Sequence, residues 1–235
     1  MKIKHIWLFI TSILYAGNVI SQDSLSIKKE KDFKILSLRL GVDLFKPIKT
    51  NFEDNFQGIE IVGDLKINRR IFIAAELGSE KKTQQTEQIN FTTNGSYIKL
   101  GVDYNFFNNW KGMDNSLFVG IRISNSIHRH NVNEYVLYEN YSAVDIKNTY
   151  FERAIIKDGG LIGEREQINS NWIEVLFGTK VEVVKNFYIG ASIRLHRLLN
   201  NSQPENFGNL YAPGFNKIVD GNRFGASFNY TLNYR

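Results

Sequence analysis

A chain of 235 residues with 43% hydrophobic and 23% charged residues and a mean hydropathy of −0.28 is too polar for a helical membrane protein, yet long enough for one domain. It contains no cysteine, which excludes disulfides, thiolate metal sites, cysteine nucleophiles and a cysteine-linked lipid anchor. Its formal charge of +5 includes Lys2 and Lys4, and the +3 left without them (5 − 2) is no nucleic-acid footprint.

Residues 1–21 carry the pattern of an export signal. Lys2 and Lys4 precede a short apolar run, Ile6 to Tyr15, that is too short to span a bilayer. Val19-Ile20-Ser21 offers a cleavage site, which places a mature start near Gln22. Residues 22–32 form a polar segment, expected in the periplasm, with a basic cluster at Lys28, Lys29 and Lys31 that continues to Lys34. Within it, Asp23-Ser24-Leu25 fits a short surface-sugar attachment motif.

From residue 33 to 235 the chain alternates apolar and polar side chains in eight segments. Strict alternation predicts β-strands, because successive side chains point to opposite faces. The segments are about Phe33–Phe45, Gly58–Asn68, Arg70–Gly78, Ser96–Phe106, Ser116–Ile127, Asn171–Val183, Phe187–Leu198 and Phe224–Tyr234. In the last, Phe224, Ala226, Phe228, Tyr230, Leu232 and Tyr234 share one face, and Gly225, Ser227, Asn229, Thr231 and Asn233 share the other. Three prolines in the whole chain suit long strands.

Which face turns inward is decided by the glycines. Gly41, Gly58, Gly78, Gly101, Gly120, Gly178, Gly190 and Gly225, one per segment, share a face with the charges. A solvated surface has no steric use for them, whereas a crowded eight-stranded interior does. The apolar faces then cover the height of an outer-membrane hydrocarbon band. Phe106, Trp110, Phe187 and Tyr234 are expected to mark one aromatic rim, and Trp172 and Phe224 the other. Long gaps (46–57, 79–95, 128–170, 199–222) alternate with short ones near Asn68-Arg69, at 107–115 and near Lys185-Asn186. This asymmetry predicts an all-β, up-and-down antiparallel transmembrane barrel with short periplasmic turns, long extracellular loops and both termini periplasmic. Tyr135–Tyr141 and Asn148–Ile156 are expected to extend a hairpin above the membrane.

In architecture, residues 33–235 resemble the small eight-stranded outer-membrane proteins of the OmpA and OmpX type. The segments Gly58-Ile59-Glu60-Ile61-Val62-Gly63-Asp64, Asn90–Gly101 and Asn209–Lys217 resemble an uncharacterised family of Bacteroidota outer-membrane barrels. The resemblance implies a fold and a location in the bacterial outer membrane; it brings no catalytic residues. Many such barrels end on an aromatic residue that the insertion machinery recognises. Here Arg235 follows Tyr234, so Tyr234 is expected to supply that signal.

The inward charges are Arg39, Asp43, Glu60, Asp64, Lys66, Glu76, Lys99, Asp103, Arg122, Glu174, Lys180, Glu182 and Arg194, six basic against seven acidic. Buried charges are tolerable when paired, and near-balance suits a cross-linked polar plug. Eight strands leave no room for a wide channel. A narrow pore is the alternative.

Enzymatic motifs are weak. His128, Arg129 and His130, together with His196, fall at strand ends and are expected to be rim residues touching loops, water or headgroups. A lipid hydrolase would pair such a histidine with Ser124 or Ser126, but no carboxylate is evident to orient it. Two histidines two residues apart lack further metal ligands. No phosphate-cradling loop or dinucleotide fingerprint occurs, and no cofactor is expected. The loops are rich in Asn and Tyr, which suits surface recognition. The segment Asn209–Asp220, with Tyr211, Pro213, Phe215 and Ile218, needs cover, either over the barrel mouth or on a partner protein. The expected role is a non-enzymatic binding, scaffold or envelope-structural barrel. Its expected partners are outer-membrane lipid, the barrel-insertion machinery and an envelope protein reached through the loops.

Overall fold

Each alternating segment forms a strand in the computed structural model, which describes residues 37–109, 114–141, 150–164, 167–203, 208–218 and 223–235. All of these belong to the unit Lys34–Arg235. Residues 1–21, read as an export signal, residues 22–32 with the basic cluster and the expected sugar motif, and Trp110 fall outside the described residues.

The elements run β1 (Ser37–Asp43), α1 (Phe45–Phe52), β2 (Phe56–Lys66), β3 (Ile71–Gln85), β4 (Ile89–Asn105), β5 (Ser116–Tyr141), β6 (Tyr150–Ile156), β7 (Gly163–Glu164), β8 (Ile168–Val184), β9 (Phe187–Asn201), β10 (Tyr211–Ala212), β11 (Asn216–Lys217) and β12 (Phe224–Tyr234). Eight of them pair antiparallel in the ring β1-β2-β3-β4-β5-β8-β9-β12, and β12 closes it on β1 through Leu40↔Tyr234 to Asp43↔Thr231. The fold is therefore a closed eight-stranded antiparallel barrel.

Alternation divides the two faces sharply. Leu38, Leu100 and Val175 are about half exposed, at 50%, 51% and 50%, on the outside. Arg39, Lys99 and Glu174 beside them in sequence are buried inside, at 2%, 2% and 0%. The eight glycines sit on the inner face, and at all but Gly225 a Cβ would meet a neighbour closer than 3.0 Å. A Cβ on Gly78 would meet the Tyr97 ring at 2.2 Å, one on Gly120 would meet Asp103 Oδ1 at 2.0 Å, and one on Gly101 would meet the Ile121 carbonyl oxygen at 1.8 Å.

One end of the barrel carries short turns. At the first, Asn68 Oδ1 accepts hydrogen bonds from the backbone N–H groups of Arg70 and Ile71, each at 2.8 Å. At the third, Asn186 takes a positive φ of 68°. Arg235 N donates to Asn186 O at 2.9 Å, so the chain ends at this same end.

The other end differs from the sequence reading. Residues 79–95 are not a long loop: β3 runs to Gln85 and β4 starts at Ile89, leaving a turn at 86–88. The segment 128–170 is largely strand as well, and here the expected hairpin does form. β5 continues to Tyr141 and pairs with β6 from Tyr135↔Ile156 to Tyr141↔Tyr150. The ladder continues there with mixed inward positions, Phe91, Val132 and Ile168 beside Glu80, Thr93 and His130, so the apolar-out, polar-in pattern that marks the belt no longer traces it. The first strand ends at Asp43, and α1 begins at Phe45 and runs into the gap 46–57. Asp43 Oδ1 accepts from Lys46 N at 2.9 Å and so caps its first turn, where Pro47 is tolerated because that N–H has no helical partner. Eight residues with one proline carry too little periodicity to announce a helix.

Candidate functional site

Among the described residues, chemistry-bearing side chains converge in the lumen. At the short-turn mouth Lys66 and Arg235 both reach Asp114, the latter at 2.9 Å, and Glu182 accepts from Asn186 N at 2.8 Å. Next, Arg39 Nε donates to Asp64 Oδ1 at 2.7 Å while Lys180 bonds the other Asp64 oxygen. The Arg39 guanidinium lies 4.6 Å from the Phe72 ring centre and 5.2 Å from that of Tyr188. Arg122 clamps Asp103 with two bonds, 2.6 and 3.0 Å.

At mid-height Glu76 receives Arg122 Nε at 3.0 Å and Arg194 Nη1 at 2.6 Å. Arg194 also reaches Glu174 Oε2 at 3.2 Å, and Lys99 reaches Glu174 Oε1 at 2.9 Å. Higher still, Tyr97 donates to Glu60, Lys46 lies 3.3 Å from Glu60 and 2.8 Å from Glu80, and Asn229 donates to Asp43 at 3.0 Å. The structure thus places all thirteen sequence-selected charges on the lumen side, with Lys66, Lys180 and Glu182 only partly buried. Sequence reasoning missed Lys46 and Glu80. Lys46 lies on the unrecognised helix and Glu80 beyond the expected end of β3, although its parity with Glu76 was a usable signal. Cavities between these groups are small, about 20 Å³ beside Arg122 and Arg194 and about 30 Å³ beside Lys46 and Ser227. Each has room for about one water.

The long-loop mouth is closed by a strap, residues 208–218, that contains the β10–β11 hairpin. Asn209, Tyr211, Ala212 and Phe215 are buried at 0–3% exposure. Tyr211 OH and Gly214 N both donate to Glu80 Oε2, at 2.9 and 3.1 Å. Gly214 has φ +80° and its Cα packs on Tyr97, where a Cβ would meet the ring at 2.7 Å. Of the two fates open to the segment Asn209–Asp220, its described part takes cover over the mouth.

Two assignments are corrected here. Trp172 does not belong to an outer aromatic rim. It has the parity of Glu174, is fully buried, and donates its indole N–H to Glu174 Oε1 at 2.7 Å while meeting Phe215 edge-on at 5.8 Å. An indole donor gains more from a lumen carboxylate than from lipid. Phe224, Phe106, Phe187 and Tyr234 do face outward. The histidines do meet a loop, as expected, but lie buried beneath it rather than open to water or headgroups: His128, His130 and His196 are buried at 1%, 0% and 1%. Asn209 Nδ2 donates to Ser170 Oγ at 3.0 Å and to Asn201, which turns its Oδ1 to the histidines. That oxygen accepts from His130 Nε2 at 3.0 Å and His128 Nε2 at 3.3 Å. The Nδ1 atoms then accept from Thr93 (2.7 Å) and Ser126 (3.2 Å). Both rings lie above the apolar belt, and burial pushes each pKa down to about 4.

His196 Nε2 lies 3.0 Å from Ser227 Oγ, and its Nδ1 lies 3.1 Å from Glu174 Oε1, so a carboxylate does stand behind a serine–histidine pair. The approach to Glu174 is out of line for a hydrogen bond, and that oxygen already receives Trp172 and Lys99. The partly buried serine lines the 30 Å³ cavity, which has no room for a substrate larger than a water or two. Among the described residues no group of three or more His, Asp or Glu side chains is arranged to hold a metal.

A family model described as "Domain of unknown function (DUF6048)" matches residues 2–235, so the chain belongs to that family. No curated protein matches it.

Proposed function

We propose that this DUF6048 protein is a non-enzymatic integral barrel of the bacterial outer membrane. Its long-loop end faces outside and acts as a surface binding, scaffold or envelope-structural element, and both ends of the barrel domain lie in the periplasm. The observation that carries this reading is the outward belt. Leu40, Ile61, Leu77, Leu100, Ile121, Val175, Leu195 and Phe228, one on each barrel strand, are exposed at 49% or more. Water-soluble monomers rarely expose apolar patches beyond a few hundred Å², whereas lipid-facing strands require them. The belt continues onto α1, where Phe45, Ile48 and Phe52 follow helical spacing and are exposed. The paired, close-packed lumen supports a closed body rather than a pore, and the small cavity beside Ser227 supports packing rather than hydrolysis. The rigid body presents the β5–β6 hairpin, which runs 14 residues beyond Ile127, from His128 to Tyr141, or roughly 45 Å of strand.

The test uses the absence of cysteine. Expressed with its own export segment in a Gram-negative host, the protein is expected in outer-membrane fractions. It should resist alkaline extraction and migrate faster before boiling than after. A cysteine at Asp158, in the long-loop connection, is expected to react with a membrane-impermeant maleimide on intact cells, and one at Lys185 is not. Recovery as a soluble periplasmic protein would sink the membrane reading, and the reverse labelling would sink the orientation.

A further inference from the structure

Above the belt, on the outer face, one cross-strand row is polar throughout. Register aligns Gln57↔Lys81, Lys81↔Asn94 and Asn94↔Arg129 across β2, β3, β4 and β5, and all four residues are exposed. The row beneath is mixed, Ile59, Ser79, Ser96 and Ile127, and the one beneath that is Ile61, Leu77, Ile98 and Asn125. The polar row is thus the first complete one past the apolar surface. It alternates amide and cation. The outward positions of the eight barrel strands hold no Asp or Glu at or below this level. One row higher lie Thr83, Thr92 and Asn131, with the two threonine hydroxyls 2.9 Å apart. Glu164 of β7 pairs opposite Asn131 in that upper row.

This order has a chemical match. Neighbouring strands are about 4.8 Å apart, so Lys81 and Arg129 are separated by about 10 Å, with Asn94 between them. A lysine and an arginine recognise phosphate, and amides and hydroxyls recognise sugar hydroxyls. Cations interleaved with amides in the row next to the hydrocarbon, with hydroxyls in the row above, match the phosphorylated saccharide of a glycolipid. We infer that the outer face of β2–β5 just above the belt binds the phosphorylated saccharide headgroup of a glycolipid, with Lys81 and Arg129 on phosphate and Asn94 and Gln57 on the sugar. This rests on the membrane reading above.

The experiment uses the full mature chain folded in detergent, with fast gel migration before boiling as the check that the barrel is intact. Probes are bisphosphoryl lipid A, its dephosphorylated form, phosphatidylglycerol and inorganic phosphate, with retention measured by native mass spectrometry. Bisphosphoryl lipid A is expected to bind best. The double variant Lys81→Gln/Arg129→Gln should lose roughly thirtyfold in affinity, while Lys185→Gln at the opposite mouth changes nothing. Equal binding of phosphatidylglycerol would reduce the face to bulk charge and overturn the proposal. Displacement of the lipid by millimolar phosphate would make it a free-anion site, and an unaffected double variant would place the headgroup elsewhere. A chain that stays folded and soluble without detergent overturns the membrane reading instead, which keeps the two failures apart.

Discussion

Glu76 is the residue on which the lumen network turns. It is 3% exposed and takes hydrogen bonds from both Arg122 and Arg194, with Lys99 at 3.9 Å. Removing one member of such a network leaves buried charge uncompensated, which costs about 3–5 kcal/mol. Glu76→Gln is therefore expected to lower the urea midpoint of the detergent-folded barrel by that equivalent. Glu182→Gln, at the wetter mouth where the carboxylate accepts a backbone N–H at 2.8 Å, is expected to cost about 1 kcal/mol or less. Equal losses from the two would refute a cooperative network centred on Glu76.

At the scale of elements, the strap is the part whose docking depends on solution conditions. Asn209 joins it to His128 and His130, and the two rings have folded-state pKa values near 4 against an ordinary 6.5. The undocked state therefore binds more protons between these values. Docking is fully stable above about pH 6.5 and weakens as the pH falls through about 4. The two rings lie 5.3 Å apart, so a second imidazolium would also meet the first. Trp172, beneath Phe215, reports on this. With Trp7 and Trp110 replaced by Phe, its emission is expected to move reversibly to the red on acidification, and Asn209→Ala should show that shift already at neutral pH. Emission that stays constant down to about pH 3.5 would count against the latch.

For the molecule as a whole, the decisive property is that polar and apolar surfaces are inverted relative to a water-soluble carrier barrel. Charges fill the interior and are paired by partners far apart in sequence. The strap and α1 occupy the long-loop mouth. With cavities of about 20 and 30 Å³ between the charges, the purified protein is expected to give no reproducible large single-channel step in a planar bilayer. A stable step would mean that a charge pair yields and that the lumen conducts.

Strand identity, the direction each side chain takes and the ring of eight were determined by the sequence, because a period of two is a local property that every barrel strand carries. Inward glycines were legible for the same reason. The tertiary structure decided what depends on neighbours. Arg194 takes Glu76, 118 residues away, and no local pattern selects that partner. Lys46 enters the lumen because Asp43 caps a short helix and Glu80 awaits its ammonium. Trp172 and the three histidines are covered because the strap, a segment with no periodicity, folds over them. Local pattern sets which way a side chain points, and only packing sets what it meets.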